Sequence, residues 1–342
     1  MAVSRTLSER IKMKGLELGF SKVGITSADD FTEYEEELLK RPDYDFLSGL
    51  KKGARPRDFY PEAESIICAA YSYAGIKFPE ELDRYIGRAY LSRSYNPLEE
   101  SAAALRVSGF RRFLESSGCR LYSGDISVPM RAACARAGIV SFGKNNFAYT
   151  EEDGSFVILY TFITNKVLEY DEPDTECRCP PGCTKCIDAC PSHAIISPGR
   201  LHPQNCLLLS HMRKDDISDE MQENTGTYIY GCDICQKACP RNKKILERAS
   251  GRDPFLEELK KEFDLEKVLA ADDVYYNEVI YPVMHSYISD KDIFRRNAAA
   301  ALGNTNDPSH IPALKLAVQS ENPMVSRAAL QAVKKLSALS SE

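Results

Sequence analysis

The chain has 342 residues, a formal net charge of −6, and 43% hydrophobic and 27% charged residues, the composition of a soluble globular protein with room for two or three domains. Its first residues, MAVSRTLSERIKMKG, carry neither an apolar segment nor a small-residue cleavage site, so they are not expected to act as a signal peptide. No stretch approaches the length of a membrane span. A cytoplasmic location with no membrane partner is expected, and the acidic balance does not favour a phosphate-rich partner outside local basic patches.

Residues 4–19 read as an amphipathic helix, followed by a strand around Lys22–Ile25 and a polar helix over Glu33–Leu39. A loop with two prolines, Arg55–Pro61, leads into Ser65–Ser72, whose unbroken apolar run predicts a buried strand with Cys68 as a small core residue. Residues 83–97 interleave three arginines with three tyrosines. This pattern suits a phosphate or aromatic ligand, but a solvated loop is the preferred reading. A helix over 98–117 ends at Gly118, a strand and turn occupy Arg120–Asp125, and a helix over Pro129–Ala137 is closed by Gly138. Gly143-Lys-Asn145 makes a polar turn before the strand Phe156–Ile163. The alternation of strands and helices over residues 1–167 predicts an α/β domain.

From Cys177 to Cys239 lie nine of the twelve cysteines. Cys183-Thr-Lys-Cys186-Ile-Asp-Ala-Cys190-Pro191 and Cys232-Asp-Ile-Cys235-Gln-Lys-Ala-Cys239-Pro240 are both C-x2-C-x3-C-P. In two-cluster ferredoxins the last cysteine of each such run serves the other cluster. That rule assigns Cys179, Cys183, Cys186 and Cys239 to one [4Fe–4S] cluster, and Cys190, Cys206, Cys232 and Cys235 to a second. The spacing Cys179-Pro-Pro-Gly-Cys183 is one residue longer than usual, so either the Pro-Pro-Gly turn absorbs it or Cys177 replaces Cys179. Cys179 is the favoured ligand. Zinc would call for closely spaced pairs without the Cys-Pro endings, and disulfides for an oxidising compartment. His193 and His202 sit beside prolines and read as loop residues. This cluster domain spans 168–246, with the charged stretch 214–227 expected as an exposed excursion.

The tail, 247–342, repeats itself. Arg296-Asn-Ala-Ala-Ala-Ala-Leu302 returns 31 residues later as Arg327-Ala-Ala-Leu-Gln-Ala-Val333, a period that reads as a HEAT-like helical pair.

Three segments carry a family resemblance. They are Tyr230-Gly-Cys-Asp-Ile-Cys-Gln-Lys-Ala-Cys-Pro-Arg-Asn242, Arg136-Ala-Gly-Ile-Val-Ser-Phe-Gly-Lys-Asn145 and Phe294-Arg-Arg-Asn-Ala-Ala-Ala-Ala-Leu-Gly-Asn304. Together they resemble the epoxyqueuosine reductases, over nearly the whole chain and in the same order. The resemblance implies a multidomain α+β or α/β protein: a nitroreductase-like cobalamin domain, a ferredoxin-like double-cluster domain and a HEAT-like tail. It implies reduction of epoxyqueuosine in tRNA to queuosine, by a monomer fed by an external flavodoxin- or ferredoxin-type donor. Cobalamin would bind base-off between the first two domains, near Gly143, Lys144 and Asn145, with Asp125 as general acid. Four places depart from the family pattern. Asp125-Ile-Ser-Val-Pro129 is one residue longer than Asp-x-x-Pro, and Val140-Ser141 replaces Gly-Trp. Tyr95-Asn-Pro stands where Asp-Tyr-His is usual, and Tyr281–Tyr287 is poor in basic residues. Two other functions stay open: a paralogue with the same cofactors that reduces a small molecule, such as an organohalide, and a non-enzymatic electron carrier that reduces a partner protein through its clusters alone.

Overall fold

The computed structural model describes residues 5–41, 52–94, 101–124, 126–174, 176–284 and 290–339. Asp125 lies outside these residues.

The run read as a buried strand, Ser65–Ser72 (β2), is the second strand of a four-stranded sheet. Lys22–Ser27 (β1) pairs on one side, with Gly24 opposite Cys68. Val157–Thr164 (β6) pairs on the other, with Cys68 opposite Thr161, and Leu121–Tyr122 (β3) extends the sheet beyond β6. Every pairing is antiparallel. The α/β expectation is corrected here to a mixed fold around an antiparallel sheet, because strand–helix alternation says nothing of pairing direction.

Helices cover both faces, which explains why β2 carries no polar alternation. Ile67, Ala69 and Phe162 pack with Ile11, Phe110 and Leu114 of the helices Leu7–Glu17 and Ala102–Ser116. Ile66, Cys68 and Ala70 pack on the opposite face with Ala133 and Cys134 of the helix Met130–Arg136. The first helix starts with a capping box between Thr6 and Glu9. The chain stays on this sheet past β6: Leu168 is in its core, and the Asp174 amide donates to the Ala135 carbonyl at 2.8 Å.

Residues 83–94 are not a solvated loop. Arg88 pairs with Asp83 at 2.7 Å, and Arg93 pairs with Asp253 at 2.7 Å while lying over the Phe255 ring. These arginines are spent on internal contacts.

The tail contains the helices Lys291–Gly303, Ile311–Ala317 and Pro323–Leu339. The two longer ones approach so closely that a Cβ on Gly303 would lie 2.7 Å from the Ala332 Cβ and 2.9 Å from its Cα. Gly303→Ala should gain about 1 kcal/mol in helix propensity, yet lose more by overpacking against backbone. The expected result is a denaturation midpoint lowered by the equivalent of about 1–3 kcal/mol; an unchanged or raised midpoint would show that the helices can part.

One core runs through all three regions. Phe78, Leu82 and Ile86 meet Ile229, Tyr230 and Ile245, and these meet Val268, Phe294, Leu302 and Leu336. Tyr230 is fully buried between the rings of Tyr90 and Phe294. The stretch 214–227 is also corrected. It forms the helix Asp219–Asn224, buries Ile217, Gln222 and Thr225, and is bonded to the tail through Asn304. No helix among the described residues is long and apolar enough to cross a membrane.

Candidate metal centre and active site

Each cysteine motif folds the same way. A single helical turn, Lys185–Asp188 or Ile234–Lys237, carries the middle of the motif and ends before its last cysteine; after the second motif Pro240 opens the helix Pro240–Arg248. In the first motif the Cys183 amide donates to the Pro180 carbonyl at 3.1 Å, and Gly182 takes a φ of +68°. The Pro-Pro-Gly turn thereby absorbs its extra residue. Cys179, Cys183, Cys186 and Cys239 line one cleft, together with Lys144, Asn145, Tyr149, Pro180 and Pro240. Cys177 is exposed and does not line it.

Two groups of thiols are packed closely. Burial pushes the Cys186 thiol up, and its neighbours Cys239, Cys179 and Cys183 add to the shift. Burial likewise raises Cys232 to about 12, with Asp233, Cys206 and Cys190 adding to it, and Cys235 rises beside the same group. Packed thiols of this kind ionise only when a metal takes the charge. All twelve cysteines are free.

The surroundings suit an anionic cluster. Amides of Lys144 and Ala194 donate to the sulfurs of Cys179 and Cys190 at 3.4 and 3.3 Å. Those of Leu208 and Leu209 point at Cys206, and that of Ile234 at Cys232. Such hydrogen bonds set cluster potentials. Arg241 lies over the Tyr149 ring at 4.2 Å, and its charge favours the Cys179 thiolate. Its buried Nη1 has no hydrogen-bond partner among the described residues, an orphaned donor that an anion in the cleft would satisfy. Asp233 is buried between two thiols of the second set, and burial raises its pKa to about 6 even though it accepts from the Arg88 amide at 2.6 Å.

The turn Gly143–Asn145 joins the strands Ser141–Phe142 (β4) and Ala148–Tyr149 (β5). A Cβ on Gly143 would lie 2.5 Å from the Tyr149 ring, so only glycine fits. Lys144 Nζ donates to the Cys183 carbonyl at 3.0 Å, and Asn145 Nδ2 to the Tyr149 hydroxyl at 2.9 Å. Of the three residues expected at the corrin, Lys144 and Asn145 line the first thiol cleft, and Gly143 packs against the Tyr149 ring. Gly124, the residue before Asp125 in the chain, has a φ of +113°, and Arg131 donates to the Asn146 carbonyl next to the turn. Nearby in the chain, Tyr122 and Ile126 are half-buried and Met130 is exposed; the Tyr122 ring stacks on Tyr60 and its hydroxyl donates to Glu62.

Residues 178–242 match the 4Fe-4S double cluster binding domain, and 282–341 match HEAT repeats. An epoxyqueuosine reductase of Bacillus subtilis (strain 168) is 31% identical over 96% of this chain and 88% of its own. The chain belongs to the epoxyqueuosine reductase family. Among solved structures of the family, one is bound to an epoxyqueuosine-modified tRNA-Tyr stem loop. It is 29% identical, covers 96% of this chain and 90% of its own, and superposes with a TM-score of 0.79. Another, from Bacillus subtilis, has its catalytic aspartate loop swung out of the active site. It is 29% identical with the same coverage and a TM-score of 0.77.

Tyr149, Arg241 and Asp233 escaped sequence reasoning as site residues. Arg241 and Asp233 lie inside the quoted cysteine segment, so their position was the available signal. Tyr149 had none.

Proposed function

We propose that this chain is an epoxyqueuosine reductase that converts epoxyqueuosine in tRNA to queuosine. The carrying observation is the likeness over 96% of the chain to a family structure bound to an epoxyqueuosine-modified stem loop. The reaction removes the epoxide oxygen as water and leaves a carbon–carbon double bond, consuming two electrons and two protons.

Residues Cys179, Cys183, Cys186 and Cys239 hold the first [4Fe–4S] cluster, and Cys190, Cys206, Cys232 and Cys235 hold the second, within a ferredoxin-like region of 168–246. The matched cluster segment begins at 178 and so includes Cys179 but not Cys177. Gly143, Lys144 and Asn145 would hold cobalamin beside the first cluster, and the cofactor would supply a strongly reducing cobalt centre. The N-terminal region, 1–167, is the nitroreductase-like part of this arrangement, and 247–342 is its helical tail. Lys144 holds the first cluster's loop to the corrin side through the Cys183 carbonyl. Asp125 delivers a proton to the departing oxygen. Electrons arrive singly from a flavodoxin- or ferredoxin-type donor, and the working unit is a monomer in the cytoplasm.

Anaerobically prepared protein, loaded with cobalamin and reduced, should convert epoxyqueuosine in a tRNA stem loop to queuosine, as read by nucleoside mass spectrometry. Binding of the stem loop should weaken steeply as salt rises. Loaded protein that leaves the tRNA unchanged but reduces an organohalide would overturn the tRNA reading.

A further inference from the structure

The second cluster's ligands Cys206 and Cys232 bracket a stretch of 25 residues that the tail grips through its backbone. Arg296 and Asn297 are each 1% exposed. Arg296 Nη1 donates to the carbonyls of Arg213 and Asp215 at 2.9 and 2.7 Å, and Nη2 to that of Ser210 at 3.0 Å. Its Nε and Nη2 also hold the Asn297 Oδ1, which turns the Asn297 amide outward. That amide spans the stretch, donating to the carbonyl of His211 at 2.9 Å and of Ile229 at 2.8 Å. Asn304, seven residues further on, donates to the carbonyls of Gln222 and Gly226 at 2.7 and 2.9 Å.

The accepting carbonyls are not scattered. Ser210 and His211 end the helix Leu207–Met212, whose first residues aim their amides at the Cys206 sulfur. Ile229 stands three residues before Cys232. A buried guanidinium at the carbonyl end of that helix lies where a cation is favoured. It has no carboxylate bonded to it; its donors go to carbonyls and to Asn297. The equivalent residue of the second repeat, Arg327, is exposed and makes only ion pairs with Asp216 and Asp219.

We infer that Arg296 and Asn297 are positioning residues for the second [4Fe–4S] cluster: the tail fixes the distance between the Cys206 helix and the Cys232 loop. The inference rests on the ligand sets proposed above. Partners that hold a metal's ligands typically contribute 10- to 100-fold to its retention.

The test uses the full chain, purified anaerobically, with Asn297→Ala and the conservative Arg296→Lys, and Arg327→Ala as control. Iron release to a chelator and the electron paramagnetic resonance of the reduced protein are the readouts. Unsubstituted protein and Arg327→Ala should release about eight irons slowly and show two coupled clusters. The two clamp variants should release about four of the eight roughly 10- to 100-fold faster, and the remaining signal should lose its coupling. Unchanged release and coupling would overturn the inference. So would equal loss of both clusters, or loss of tail helicity in the far-ultraviolet with cluster retention unaltered, since the pair would then serve folding alone. Unsubstituted protein without two clusters would instead overturn the ligand sets themselves.

Discussion

Cys239→Ala should abolish turnover and remove one cluster, and that cluster should be the one that Cys183→Ala removes. Cys239 closes the second motif but lines the cleft of the first, with Cys179, Cys183 and Cys186. It is buried, and Tyr149 lies beside it: burial first, then the neighbouring Cys239, drives the Tyr149 phenol far above its usual range. A protonated phenol there donates a hydrogen bond to a metal-bound sulfur. Iron and sulfide should fall from about eight to about four per chain. The residual spectrum should match that of Cys183→Ala and differ from that of Cys235→Ala. A Cys239→Ala spectrum that matched Cys235→Ala would show that the motifs do not exchange ligands. Because the first cluster sits against the Lys144 turn, its loss would cut the electron path at the step nearest the substrate.

Asp125→Asn should lower turnover by about 10²- to 10⁴-fold, the usual worth of a general acid, while iron content, sulfide content and corrin binding stay unchanged. Asparagine keeps the shape of the side chain and removes its transferable proton. Gly124, the residue before Asp125, has a φ of +113°, and Arg131 donates to the Asn146 carbonyl beside the turn above the thiol cleft. The catalytic aspartate loop of the Bacillus subtilis relative is swung out of its active site. Undiminished turnover in Asp125→Asn would move the proton source elsewhere and leave the extra residue before Pro129 as the reason.

Some of this was legible in the residues and some was not. The strand Ser65–Ser72 matches its expectation to the residue, because an apolar run between prolines and polar turns has one natural reading. The two cysteine motifs are equally plain, since ligand chemistry demands side chains at fixed spacing. Strand direction was hidden: β1, β2 and β6 pair antiparallel across long connections, and nothing in their side chains encodes direction. The stretch 214–227 misled because its charges face solvent while its backbone carbonyls face Asn304. Carbonyls are common to every residue, so a surface recognised through them leaves no mark in the sequence. Arg296 suffered the same fate, read as one copy of a repeat when its partners are all backbone oxygens and its own neighbour. Lys144 was assigned by likeness to a loop, and its contacts with the Cys183 carbonyl became visible only in three dimensions.

The core that joins Phe78 and Leu82 to Ile229 and Tyr230 is completed by Leu314, Val325 and Leu336, which leave the ribosome after them. Until then, the earlier part of this core has apolar surface still uncovered, and carbonyls between Cys206 and Cys232 still lack Arg296, Asn297 and Asn304. Domains of a growing chain generally fold as units from the N-terminus, but this core is complete only with its tail. The nascent protein therefore passes through a stage in which both sets of thiols are made and the structure around the second is still open, and iron delivered then meets a site not yet shut.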